Sequence, residues 1–396
     1  MFEKIIKFGC GFIIISIVFF NSCSSSTDNI TEQDVTKEQA HLEGVFNANS
    51  VILHPGSNNW YGIDISRANT FWSNPDVGDA VNVIDNNTEW TAEVIWQDID
   101  HRAISFCGAD GKVINGDTIN GKGLKPLYVK VTTSTFGNVV VGIKKKGAGS
   151  NAYLWSWHLW LTDEPKLIAG FMDRNLGASS SSPSGGSKSY GLFFQFGRKD
   201  AFVGNYESTP LVKCDIATYD INGLFLYGGT ENEDVENAMF SQFVNSPNVI
   251  IRSSDSGYFR TPEEWDKWLK QEKYMDKHWN DFTDADGKTF FDPCPEGWRL
   301  PTKEDLEKLT LEEIRKCRFL YDNKVYGWNL DGNWFPDVSR GYWSTGYWST
   351  GDIVDYRDKW GHFRTEFCPT VWSFNYDLIK AASNRYDLNH VRCIKM

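Results

Sequence analysis

The sequence predicts a mostly β chain in two parts, an all-β sandwich over residues 43–150 and an α+β domain over residues 151–396. Three observations carry this. Short β-branched and aromatic runs recur from Ser50 to Lys145, separated by turns rich in Gly, Asn and Asp. Gly147-Ala148-Gly149-Ser150 then makes a flexible joint. Helix signatures occur only beyond that joint, over Thr261–Lys273 and Thr302–Cys317.

The first part reads as six strands: Ser50–His54, Tyr61–Ile65, Trp90–Trp96, Ala103–Phe106, Leu127–Thr132 and Val139–Lys145. Pro55-Gly56-Ser57-Asn58, Asp85-Asn86-Asn87, Ala109-Asp110-Gly111 and Phe136-Gly137-Asn138 supply turn chemistry between them. No helix-length amphipathic run interrupts the series, and this spacing matches an immunoglobulin-like sandwich. Tyr153–Leu161 (YLWSWHLWL) is too apolar for a free linker, so the segment 151–166 is expected to pack at a junction between the two domains. Ser179–Ser189 is a low-complexity, exposed loop. The first helix has Thr261 as N-cap, Pro262 in its first turn and Glu264 three residues on; the second opens at Pro301-Thr302 with Asp305 in the corresponding place.

The chain begins with Lys4 and Lys7, followed by the apolar stretch Phe8–Phe20. That stretch suits a signal-peptide core and is too short to span a bilayer. It ends in Phe20-Asn21-Ser22-Cys23, which resembles the lipobox of bacterial lipoproteins, with Phe20 in place of the usual Leu. The resemblance implies a signal peptide over residues 1–22, an acylated Cys23 and a flexible polar tether over residues 23–42. It also implies an outer-membrane lipoprotein exposed at the cell surface. The net charge of −12, with no basic run beyond Lys144-Lys145-Lys146, argues against nucleic acid as a partner. Aromatic side chains are abundant, with 17 Trp, 26 Phe and 16 Tyr; they serve cores, interfaces and sugar platforms alike, and most of the Trp are expected in the core.

Of eight cysteines, Cys10 leaves with the signal and Cys23 takes lipid. Cys107, Cys214, Cys294, Cys317, Cys368 and Cys393 remain, and their wide spacings leave the pairing open. The second half carries five ordered motifs: Phe171–Gly177 (FMDRNLG), Gly191–Phe202 (GLFFQFGRKDAF), Asp292–Thr302 (DPCPEGWRLPT), Tyr342–Thr345 (YWST) and Val391–Lys395 (VRCIK). Together they resemble the major-paralogous (FISUMP) domain and its fimbrillin-associated relatives. The resemblance implies a C-type-lectin-like fold, related to the formylglycine-generating enzymes, and a bridge between Cys294 and Cys393. It also implies work in adhesion, as an adhesin or fimbrial subunit.

Three sharper functions meet residues that do not fit them, or fit them only in part. An enzyme is disfavoured because no H-E-x-x-H pair, G-x-S-x-G elbow or phosphate loop occurs, and the formylglycine-generating pattern of paired cysteines is not matched. Calcium is disfavoured because Trp279-Asn280-Asp281 lies on the wrong side of Cys294 for a lectin site. The Asp284-Ala285-Asp286-Gly287 turn also fails the EF-hand pattern at both ends, where Phe282 and Pro293 stand. No metal and no cofactor are expected. The tandem GYWST of Gly341–Gly351 makes Tyr347 and Trp348, with Trp334 nearby in sequence, candidates for stacking on a glycan, whereas Trp343 matches a core strand of the family. The expected partners are thus the membrane, through lipid, and a glycan, a host-surface ligand or fimbrial subunits. A glycan-capture role in polysaccharide uptake is the alternative.

Overall fold

The structure, a computed structural model, describes residues 40–75, 78–182, 188–189, 191–195, 197–203, 217–226, 231–234, 240–252, 288–302, 305–306, 308–310, 312–313, 347–348, 352–357, 363–368, 370–374, 378–382 and 388–396. Nine strands form its first part: β1 (Leu42–Phe46), β2 (Ser50–Leu53), β3 (Trp60–Ile63), β4 (Glu89–Gln97), β5 (Ile104–Cys107), β6 (Thr118–Lys122), β7 (Leu127–Val131), β8 (Gly137–Lys145) and β9 (Tyr153–Leu161). One sheet has the order β1-β3-β7-β5 and the other β2-β9-β8-β4-β6. Pairing is antiparallel except at β1–β3 and β2–β9, which are parallel. Tyr61, Ile63, Phe106 and Val129 from the first sheet share one apolar core with Leu53, Trp96, Val141 and Trp157 from the second.

All six expected strands are present. Their apolar alternation works as two-faced sheets require, clearest in β7, where Leu127, Val129 and Val131 are buried while Tyr128 and Lys130 are half-buried. Gly121 sets the register of β6, because a Cβ there would lie 2.1 Å from the Trp90 ring on the opposite strand.

Three features differ from the sequence expectation. A short helix, α1 (Ala68–Trp72), interrupts the strands and sinks Phe71 and Trp72 into the core. Strand β1 starts at Leu42, the last residue assigned to the tether. Tyr153–Leu161 is a strand of the second sheet, flanked by β8 and β2, so the boundary expected at residue 150 falls between directly paired strands. Every residue of β9 is buried. A strand covered on both faces loses alternation and reads as a continuous apolar run, which is why it resembles a junction segment in sequence. Residues Ala40–Met396 form one compact unit.

Downstream, β10 (Leu167–Ile168) and β11 (Phe171–Met172) pair, and β12 (Phe193–Gln195) follows. Helix α2 (Phe240–Asn245) lies between β13 (Glu231–Asp234) and β14 (Val249–Arg252), which pair in parallel. After β15 (Trp298–Arg299) come β16 (Tyr347–Trp348), β17 (Asp352–Arg357), β18 (Phe363–Cys368), β19 (Thr370–Phe374), β20 (Leu378–Ala382), β21 (Leu388–His390) and β22 (Ile394–Lys395). They build sheets of order β10-β11-β22-β15 and β12-β21-β16-β19-β20, plus the pair β17–β18. The helix expected over Thr261–Lys273 lies outside the described residues. Of the second, the start is described. Thr302 and Asp305 form a reciprocal cap, Thr302 N donating to Asp305 Oδ2 at 2.8 Å and Asp305 N to Thr302 Oγ1 at 3.2 Å.

Candidate functional site

Among the described residues, buried polar chemistry gathers where residues 289–295 run along the open edge of β2, with Ser50 bridged to Pro295. Edge strands leave backbone groups to be satisfied, and this loop meets them. Asn49, just before β2, uses its whole amide. Its Nδ2 donates to the carbonyls of Phe290 at 2.7 Å and Asp292 at 2.9 Å. Its Oδ1 accepts from Arg67 Nε at 3.0 Å and Trp155 Nε1 at 3.1 Å. Arg67 extends the same clamp to the carbonyls of Thr289 and Phe290. Phe291 fills the apolar space beside it, 5.6 Å from the Trp155 ring and 5.8 Å from Phe71.

A second chain of contacts begins one residue later. Ser50 Oγ donates to the Pro293 carbonyl at 2.6 Å and stands 2.9 Å from His158 Nδ1. His158 Nε2 meets Asn138 Oδ1 at 2.8 Å. Asn138 spends both amide protons on Asp98 Oδ2 (2.6 Å) and the Gly177 carbonyl (2.9 Å), so its oxygen faces the imidazole and the proton between them belongs to Nε2. Burial pushes His158 down to about 3, so the ring is neutral and Nδ1 is an acceptor. The single Ser50 proton therefore serves either Nδ1 or the Pro293 carbonyl, one at a time. Burial also pushes Asp98 up, to about 6, against the hydrogen bonds from Asn138.

A third cluster comes from the GRKD motif. Lys199 Nζ donates to Ser156 Oγ and to Asp200 Oδ1, and lies 4.5 Å from the centre of the Trp155 ring. Ser156 Oγ donates to Asp200 Oδ1 at 2.7 Å. Arg198 reaches Asp200 Oδ2 and the carbonyls of Val249, Phe243 and Ser246, between the rings of Phe202 and Phe243. Burial pulls both cations below their usual range, with Asp200 opposing it.

The chain matches no family model, no curated protein and no solved structure.

Two of these clusters pair residue types that catalysis uses, Ser50 with His158 and Ser156 with Lys199. In both, the hydroxyl is buried and already engaged: Ser50 under the Pro293 carbonyl, Ser156 against Asp200. These contacts tie Ser50 to the disulfide loop and Ser156 to the GRKD segment. Among the described residues no group of three or more His, Cys, Asp or Glu is placed to hold a metal ion.

The sequence-derived residues fall as follows. Cys294 and Cys393 are joined by a disulfide with Cα atoms 5.9 Å apart, both buried. Tyr347 and Trp348 form β16, between β19 and β21. Cys23 and Trp334 lie outside the described residues. Sequence reasoning passed over Asn49, Arg67, His158 and Lys199. The one available signal was polar residues set inside apolar strand runs, as in Trp155-Ser156-Trp157-His158, where a buried polar side chain demands a partner.

Proposed function

We propose that the protein is a non-catalytic lipoprotein of the cell envelope that works by binding, as an adhesin or a fimbria-associated subunit. In this reading Cys23 carries the lipid that holds it to the outer membrane. An immunoglobulin-like sandwich, its second sheet completed by Tyr153–Leu161, carries a C-type-lectin-like FISUMP region that meets the ligand, a host-surface group, a glycan or a fimbrial subunit. The observation that carries it is that both nucleophile–base pairs are buried and held by the fold's own carbonyls and carboxylates. They brace the joint between sheet and loop, and a braced scaffold with variable loops suits recognition. The tandem GYWST favours a second reading, capture of glycan for uptake, with Tyr347 and Trp348 as the stacking pair.

The test is fractionation and binding together. Cys23→Ala should move the protein from membranes to the soluble fraction. Cells carrying wild type should bind a glycan or host-surface array that cells with the variant do not. Sedimentation of Cys23→Ala with membranes would overturn the anchor. Array binding that survives wild-type folding but responds to chelator would overturn a metal-free binding site.

A further inference from the structure

We infer that residues 288–298 form a cation-binding loop whose resident cation is the ε-ammonium of Lys288. This stands apart from the adhesive reading and does not depend on it. Lys288 is buried, yet its Nζ is ringed by backbone oxygen: the carbonyls of Cys294, Pro295 at 3.0 Å and Trp298 at 2.8 Å. An ammonium has three protons, and here each has a carbonyl. Asp292 Oδ1 stands 3.4 Å away as the counter-charge.

The carboxylate of Asp292 takes the opposite half of the same backbone. Its Oδ1 accepts from Cys294 N at 2.7 Å and its Oδ2 from Leu300 N at 2.7 Å. The loop thus turns its carbonyls toward a cation and its N–H groups toward an anion. Convergent carbonyls from a few successive residues are how backbone holds bare ions. The carbonyls are already spaced around a donor of ammonium size, and a single carboxylate, Asp292, faces them, where calcium sites gather more oxygen and more charge. The cage therefore suits a monovalent ion of ammonium size, such as potassium.

Two comparisons on the full chain test this. If the loop needs a cation or donor, thermal stability should fall in the order Lys288, Lys288→Gln, Lys288→Met, because Gln supplies two N–H donors and Met none. If the position only needs volume, Met should equal or exceed Gln, as apolar replacements of buried charges often do. Lys288→Ala should be less stable than wild type in tetramethylammonium chloride. It should recover several degrees in potassium or ammonium chloride of equal ionic strength, with calcium no better than the tetramethylammonium control. Wild type should not distinguish these salts. Met melting at or above Gln overturns the inference. So does an Ala variant, folded or unfolded, that gains nothing from potassium over tetramethylammonium.

Discussion

Asn49→Ala is the sharpest perturbation of the joint between the β2 edge and the disulfide loop. The substitution removes two N–H donors from the carbonyls of Phe290 and Asp292 and one acceptor from Arg67 and Trp155. Neutral hydrogen bonds contribute about 1 kcal/mol each and a bond to a charged group about 1.5–3 kcal/mol. The four share one loop, so their losses fall short of additive and the expected cost is about 3–5 kcal/mol. At about 2 °C per kcal/mol for a large unit, the melting temperature should drop by roughly 6–10 °C. The assay is a thermal melt of the full chain, with a parallel measurement of how fast limiting reductant opens the Cys294–Cys393 bond. Loss of docking should expose that buried bond and speed its reduction. A melt within about 2 °C of wild type, with unchanged reduction, would refute the view that Asn49 docks the loop.

Replacing Cys294 and Cys393 together by Ser should cost about 4–5 kcal/mol by chain entropy, since the bridge spans a separation of 99 residues; a denaturant midpoint close to wild type would contradict it. A pH series tests the titratable groups that desolvation shifts. His158 and His390 are pushed down by burial to about 3 and about 4, so the folded state binds fewer protons than the unfolded one; their stabilisation is full above about 6.5 and is lost as pH falls. Asp98, pushed up to about 6, acts oppositely: its contribution is full below about 3.8 and is lost as pH rises through 6. Near pH 5 these three groups leave about one proton taken up on unfolding, and Asp98→Asn should raise this to nearly two, steepening the acid loss by about 1 kcal/mol per pH unit. Parallel slopes in the two proteins would overturn the Asp98 assignment. For the glycan reading, Trp348→Ala should weaken array binding by about 1–3 kcal/mol with an unchanged melt; a matching loss of stability would assign that residue to the core.

Alternation made the first two sheets legible. Leu127–Val131 and Trp90–Glu93 show period two because one face meets the core and the other meets water or a partial cover. Tyr153–Leu161 was harder to place, since burial of both faces erases the period, and composition alone cannot say which strands flank it. Leu42–Phe46 was missed for the opposite reason: it is an edge strand with partly exposed side chains, held mainly by its parallel pairing to β3. The polar joint was illegible for want of locality. Asn49 and Asp292 meet across 243 residues, and no window of sequence holds both. The cap at Thr302 and Asp305 was readable because a capping box spans three residues.

Strand β22 occupies a central slot, with β11 on one side and β15 on the other, and Arg392 beside it donates to the Met172 carbonyl across 220 residues. In temporal terms, that slot stays open while everything between is synthesised. Each neighbour presents that edge unpaired until Ile394–Lys395 arrives. Closing so long a loop is slow, and waiting edges recruit other chains. Maturation of this protein is therefore a race between the arrival of β22 and pairing with other chains, which shielding of β11 and β15 by a chaperone would decide in favour of β22.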